Sequence, residues 1–229
     1  MNINNIPLNT INYNAQSFGH SIGNNNNYSK KQKAIVTGTT LLGAAAGCAV
    51  LAKKSGYSLK PSRMFKNIKN SYLAKADFEA IPVITIGAGT CLGGLAGGYM
   101  IDKNPENRKA KRREAVMQIG NISIPILTVA GVHKLTHKYG KEVQAIAALG
   151  GVFAGVWIAN FLMNKLGNAL FHNKEDASGV KATDFSAHLD DFVLAATYVS
   201  KSDIVHALGR LVPAALMVPG YEIGTKESK

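Results

Sequence analysis

Residues 80–101 read AIPVITIGAGTCLGGLAGGYMI, twenty-two positions without an Asp, Glu, Lys or Arg. A helix rises about 1.5 Å per residue, so this stretch reaches across a hydrocarbon core of about 30 Å. Within it, Gly89, Gly93 and Gly97 recur at every fourth residue, and Gly94 and Gly98 form a second pair beside them. At 3.6 residues per turn these glycines lie along one side of a helix as a nearly flat stripe. In water each glycine weakens a helix by up to about 1 kcal/mol relative to Ala. Lipid supplies no hydrophobic drive for helices to associate, so close backbone approach at small residues does that work.

Three further windows share the absence of charge: 34–52, 115–133 and 143–164. With 80–101 they total 82 residues. At the chain's 17% charged residues they would carry about 14 charges, and they carry none. The competing reading is a soluble all-α protein with four buried helices, but surface helices of soluble proteins show a charged face every turn or two. The expected fold class is therefore all-α: an integral membrane bundle of about four glycine-rich transmembrane helices, with amphipathic surface helices. The first window is rich in Ala, Gly and Thr, and the third holds Gln118, Asn121 and Pro125. Packing glycines are also expected at Gly43 and Gly47 in the first window. In the fourth, Gly151 and Gly155 follow Ala147 at the same spacing.

Outside the windows the cations crowd together. The net charge is +12. The first connection, 53–79, carries seven Lys/Arg and two acids, and 102–114 carries six Lys/Arg. Cations flanking apolar spans sit at headgroup depth, so the expected partner is a bilayer with anionic headgroups. Zinc-finger spacing and aromatic-glycine stacking motifs are absent, which argues against nucleic acid. Within the first connection Pro61 starts an amphipathic segment, 61–76, with Met64, Phe65, Ile68, Tyr72 and Leu73 to one side. Loop charges do not orient the spans, with nine cations on one side against ten on the other. A third window that enters and leaves on one side, interrupted at Pro125, would relieve this tie and leave three full spans.

The ends read differently. Residues 1–29 contain ten Asn and form an expected disordered tail, without the charged start and apolar core of a signal peptide. Ala45-Ala46-Gly47-Cys48 is close to a lipoprotein cleavage site, but the chain stays apolar past Cys48, as a spanning helix does. Cys48 and Cys91 imply no disulfide framework. After the bundle (30–165) come an expected linker, 166–182, an amphipathic helical pair, 183–221, and a tail, 222–229. In the pair, Asp184, His188 and Asp191 share one helix face, and His206 and Arg210 share another with Asp203. Pro219-Gly220 is expected to end the second helix. Ionisable groups at membrane depth are usually functional, so these residues are the candidate polar site. His133 and His137 sit one turn apart but lack the acid of a zinc-protease motif.

No catalytic set, cofactor motif or resident metal site is expected. The favoured function is a non-enzymatic membrane protein that assembles with itself or a membrane partner. The expected location is a multi-pass place in a bacterial cytoplasmic membrane. The alternatives are a small channel or transporter, with Asn121, Pro125 and the His/Asp/Arg stripe along its path, and a membrane metalloenzyme. In style the chain is similar to glycine-zipper modules of bacterial envelope proteins and to glycine-rich four-span subunits of mitochondrial inner-membrane translocases. No full motif of either maps onto these residues, so the likeness implies no function.

Overall fold

A computed structural model describes residues 28–58, 80–171, 196 and 212–228. The elements are α1 (Lys30–Lys54), α2 (Ala80–Ile101), α3 (Pro105–Thr136), α4 (Lys141–Phe171), α5 (Val212–Ala215) and α6 (Met217–Thr225), with no strand among the described residues. The first four are each long and apolar enough to cross a membrane. The protein is an all-helical, multi-pass membrane protein.

Local chemistry sets the helix ends. The Ser29 hydroxyl accepts the Gln32 N–H while the Gln32 side chain accepts the Ser29 N–H, a capping box that starts α1. At its far end Gly56 takes φ +77, Gly56 N–H reaches Lys53 O and Tyr57 N–H reaches Ala52 O. That is a Schellman close, and it needs glycine at the left-handed position. Asn104 caps α3 through Glu106 N–H, with Pro105 at the first helical position.

The windows mark the spans but not the helix limits. α3 continues through Pro125 as one helix of 32 residues, long and apolar enough to cross, without the break at Pro125 that a re-entrant segment was expected to show. Proline removes one backbone donor there. The Pro125 ring lies against α4 where Gly155 has no side chain, since a Cβ on Gly155 would sit 2.5 Å from Pro125 Cα. α4 runs to Phe171, so 166–171 are helix where a linker was expected. Lys165 ends the charge-free window, but one cation does not end a helix.

Antiparallel packing is explicit in the contacts. Gly47 meets Thr85 and Ile86, Gly43 meets Gly89, Thr39 meets Gly93, and Val36 meets Gly97. α3 and α4 pair likewise, with Gly155 on Pro125 and Thr128, and Gly151 on Val129 and Val132. The core between α1, α2, α3 and the C-terminal segment holds Ala44, Val83, Ile86, Ile122, Ile126, Leu216 and Ile223. Large apolar side chains point outward, among them Ile146 at 72% exposure and Trp157 at 61% on α4. Small residues inside and large ones outside suit a lipid surround.

The C-terminal segment departs most from expectation. Pro219-Gly220 does not terminate a helix, and residues 222–225 are not a tail, because α6 spans Met217–Thr225. Pro219 is its third residue, within the first turn, where backbone N–H groups have no intrahelical acceptor to lose. Gly220 and Gly224 then face the second glycine pair of α2. A Cβ on Gly94 would collide with the Gly220 carbonyl, and one on Gly98 would sit 2.8 Å from the Gly224 carbonyl. α6 thus runs parallel to α2, and its Gly220 and Gly224 also meet Thr40 and Val36 of α1, so this face lies over the seam between α1 and α2.

Candidate functional site

The glycines singled out in the sequence divide between two seams. Gly43, Gly47, Gly89, Gly93 and Gly97 lie between α1 and α2, and Gly151 and Gly155 lie between α3 and α4. All seven are covered by other helices of the same chain. Asp184, His188, Asp191, His206 and Arg210 lie outside the described residues, as do 1–27 and the segment 61–76. His133 is half-buried, and His137 is exposed beyond α3 with Nδ1 2.8 Å from Lys134 O. Among the described residues no three His, Cys, Asp or Glu side chains are grouped to hold a metal ion. Cys48 is half-buried within the unbroken α1.

The principal polar cluster is built at one end of the bundle. The start of α1, the α2–α3 connection and the end of α6 meet there. Lys111, in the second turn of α3, is 0% exposed. Its stem crosses α2 where Gly98 leaves room, since a Cβ there would sit 2.9 Å from Lys111 Cδ. The ammonium donates to Asp102 Oδ2 at 3.2 Å, to the Tyr28 hydroxyl at 2.8 Å, and to the Lys226 carbonyl. An ammonium has three protons, and all three are placed. It also stands 5.0 Å from the Tyr28 ring centre.

Asp102 is equally well served. Its Oδ2 accepts from the Tyr28 hydroxyl, from Asn107 Nδ2 at 2.9 Å and from Lys111, while Oδ1 accepts the Asn104 N–H at 2.9 Å. Arg108 reinforces the connection through the carbonyls of Asp102 and Tyr99, both at 2.9 Å. Asn107 Oδ1 accepts from Ser228 N–H and Oγ, and Lys226 Nζ meets Glu114 Oε2 at 3.0 Å near the surface. The arrangement is a fastening that ties residues 28, 102, 111 and 226–228 together.

Burial pushes the Asp102 carboxyl up, but the bonds from Tyr28, Asn104, Asn107 and Lys111 outweigh it and hold the group at about 2. Burial first, and then the hydrogen bond to Asp102, push the Tyr28 phenol well above its ordinary range. The folded Asp102 value lies below the ordinary carboxylate value of about 4, so its stabilisation is present above that value and is lost as pH falls towards 2. Melting in detergent between pH 7 and pH 2.5 is expected to cost wild type about 1.5 kcal/mol more than Asp102→Asn. Equal acid sensitivity in the two proteins would refute the assignment.

The sequence reading placed Lys111 among loop cations, although a signal was present. Lys111 precedes Ala115 by four residues and continues the face of Ile122, Ile126 and Val129, all buried. Extending that stripe toward the N-terminus identifies Lys111 as inward-facing. Comparison of the chain with known protein families, with curated proteins and with solved structures finds no match.

Proposed function

We propose that this is a non-enzymatic membrane protein that assembles in the bilayer, with a second copy of itself or a helical membrane partner, through outward glycines of α1, α3 and α4. The observation that supports this reading is a contrast between two groups of glycines. Those of the α1–α2, α2–α6 and α3–α4 seams touch another helix of the same chain and are used there. Among the described residues, Gly38, Gly131 and Gly150 have nothing within 4 Å of where a side chain would stand. Each lies inside a spanning helix and is exposed. A mid-helix glycine weakens its helix by up to about 1 kcal/mol, and in these three no contact with another described residue offsets that. Contact with another helix across the bilayer does.

The seam glycines are unavailable for this role, so the assembly surface moves from the stripe at 89–97 to the outer faces. Wild type in lipid nanodiscs is expected to run as a dimer or larger species by native mass spectrometry. Gly38→Leu/Gly131→Leu/Gly150→Leu is expected to be monomeric, with unchanged helix content because open space surrounds each site. A monomeric wild type, or an assembled triple variant, would overturn the reading.

A further inference from the structure

We propose that the groove between α2, α3 and α4 is a binding site for one anionic phospholipid, with an acyl chain along the apolar walls and the phosphate held by Lys109 and Arg112. The groove is open to the outside and has a volume of about 440 Å³, within the roughly 300–1,000 Å³ common for small-ligand sites. Its walls are Leu92 from α2, Val116 and Ile119 from α3, and Leu170 and Phe171 from α4. Lys109 and Arg112 form its rim, one turn apart on α3 and just before the charge-free stretch that begins at Ala115. The site therefore changes from cationic to apolar over the depth at which a phospholipid changes from phosphate to hydrocarbon.

Charge complementarity selects the occupant. Lys109 and Arg112 are exposed, and neither has an ion-pair partner among the described residues. Lys103 and Arg108 border an adjoining cleft that shares Arg112, so the local field is positive. Arg108 is occupied by the carbonyls of Tyr99 and Asp102, which leaves Lys109 and Arg112 to meet an anion. Of the nearby acids, Glu114 is engaged by Gln118 and Lys226. Glu106 stands one turn before Lys109, outside the groove lining. A zwitterionic headgroup adds its own cation beside these two, so the pair discriminates in favour of a net negative head.

The site rests on different residues from the assembly surface and is tested separately. Protein is reconstituted in vesicles of equimolar phosphatidylglycerol and phosphatidylcholine, released into mild detergent, and weighed intact. Wild type is expected to retain phosphatidylglycerol preferentially. A Lys or Arg near the membrane surface contributes about 1 kcal/mol, or about fivefold, so each cation removed in Lys109→Ala/Arg112→Ala lowers the preference by about fivefold. Lys30→Ala/Lys31→Ala, which removes two exposed cations of α1 away from the groove, is expected to keep it. Val116→Trp, which fills the groove, is expected to lower retention of both lipids. No retained lipid, an unchanged ratio in Lys109→Ala/Arg112→Ala, an equal fall in the Lys30/Lys31 variant, or full retention in Val116→Trp would each overturn the proposal.

Discussion

Gly94→Val is expected to detach the C-terminal helix and to destabilise the bundle by about 3 kcal/mol or more, the upper part of the range for overpacking. The added Cβ meets the Gly220 carbonyl and lies within 3.0 Å of Gly220 Cα. Both groups are backbone, so no side chain can rotate away, and only separation of α2 from α6 relieves the clash. That separation uncovers Leu216 and Ile223, which are 1% and 0% exposed. Gly167→Ala is the matched control, because among the described residues its Cβ meets only the flexible Met117 Sδ, at the ordinary contact distance of 3.4 Å, and Ala favours helix by up to about 1 kcal/mol. Thermal melting in detergent, with limited proteolysis of the C-terminal segment, reads both. The two substitutions should shift the melt in opposite directions. A Gly94→Val protein that melts with wild type and keeps its C-terminus protected would contradict the seam.

Lys111→Met is expected to cost about 3–5 kcal/mol, the usual penalty for removing one partner of a buried ion pair. Met matches the stem over Gly98 but leaves the Asp102 carboxylate buried without its ammonium, and it frees the Lys226 carbonyl. Asp102→Asn/Lys111→Met should recover much of the loss, because the uncompensated charge is gone while Tyr28 and Asn107 keep a polar partner. The size of that recovery in a double-mutant cycle separates charge from packing. A Lys111→Met protein as stable as wild type would show that the cluster does not fasten the bundle. The partly exposed Lys226–Glu114 pair provides the opposite control, since pairs near the surface contribute about 0–1 kcal/mol.

These two sites also show where sequence reasoning works and where it stops. Absence of charge over 34–52, 80–101, 115–133 and 143–164 is a one-dimensional signal of a solvent boundary, and all four windows lie in long helices. Helix limits were less legible. A helix outlasts its apolar stretch when the flanking residues still favour helix, as 105–114 and 165–171 do. Pro219-Gly220 misled for a positional reason: the same dipeptide stops a helix at its end and is accommodated within its first turn. The Gly94/Gly98 pair could be seen as small surface beside the main stripe, but its partners lie at Gly220 and Gly224, more than 120 residues away. Nothing local to residues 80–101 points there. Lys111 was hidden by counting it with its neighbours, when its register with Ala115 and Ile122 sets it apart.

The polar candidates behaved differently. The sequence directed attention to Asp184, His188, Asp191, His206 and Arg210, which lie outside the described residues. A separate cluster lies at 28, 102, 111 and 226, residues unremarkable in the sequence until the helices bring them to one end.

The central claim is a four-span bundle in which Tyr28, just before α1, and Lys226, just after α6, are fastened on the same side as the α2–α3 connection. Membrane-impermeant maleimide labelling in sealed vesicles tests it most directly. The background is Cys48→Ala/Cys91→Ala, with single cysteines at Lys30, Ser58, Lys103, Lys138 and Ser228. The account predicts that positions 30, 103 and 228 label from one face and positions 58 and 138 from the other. Positions 103 and 138 labelling from the same face, or 228 labelling opposite to 30, would contradict it.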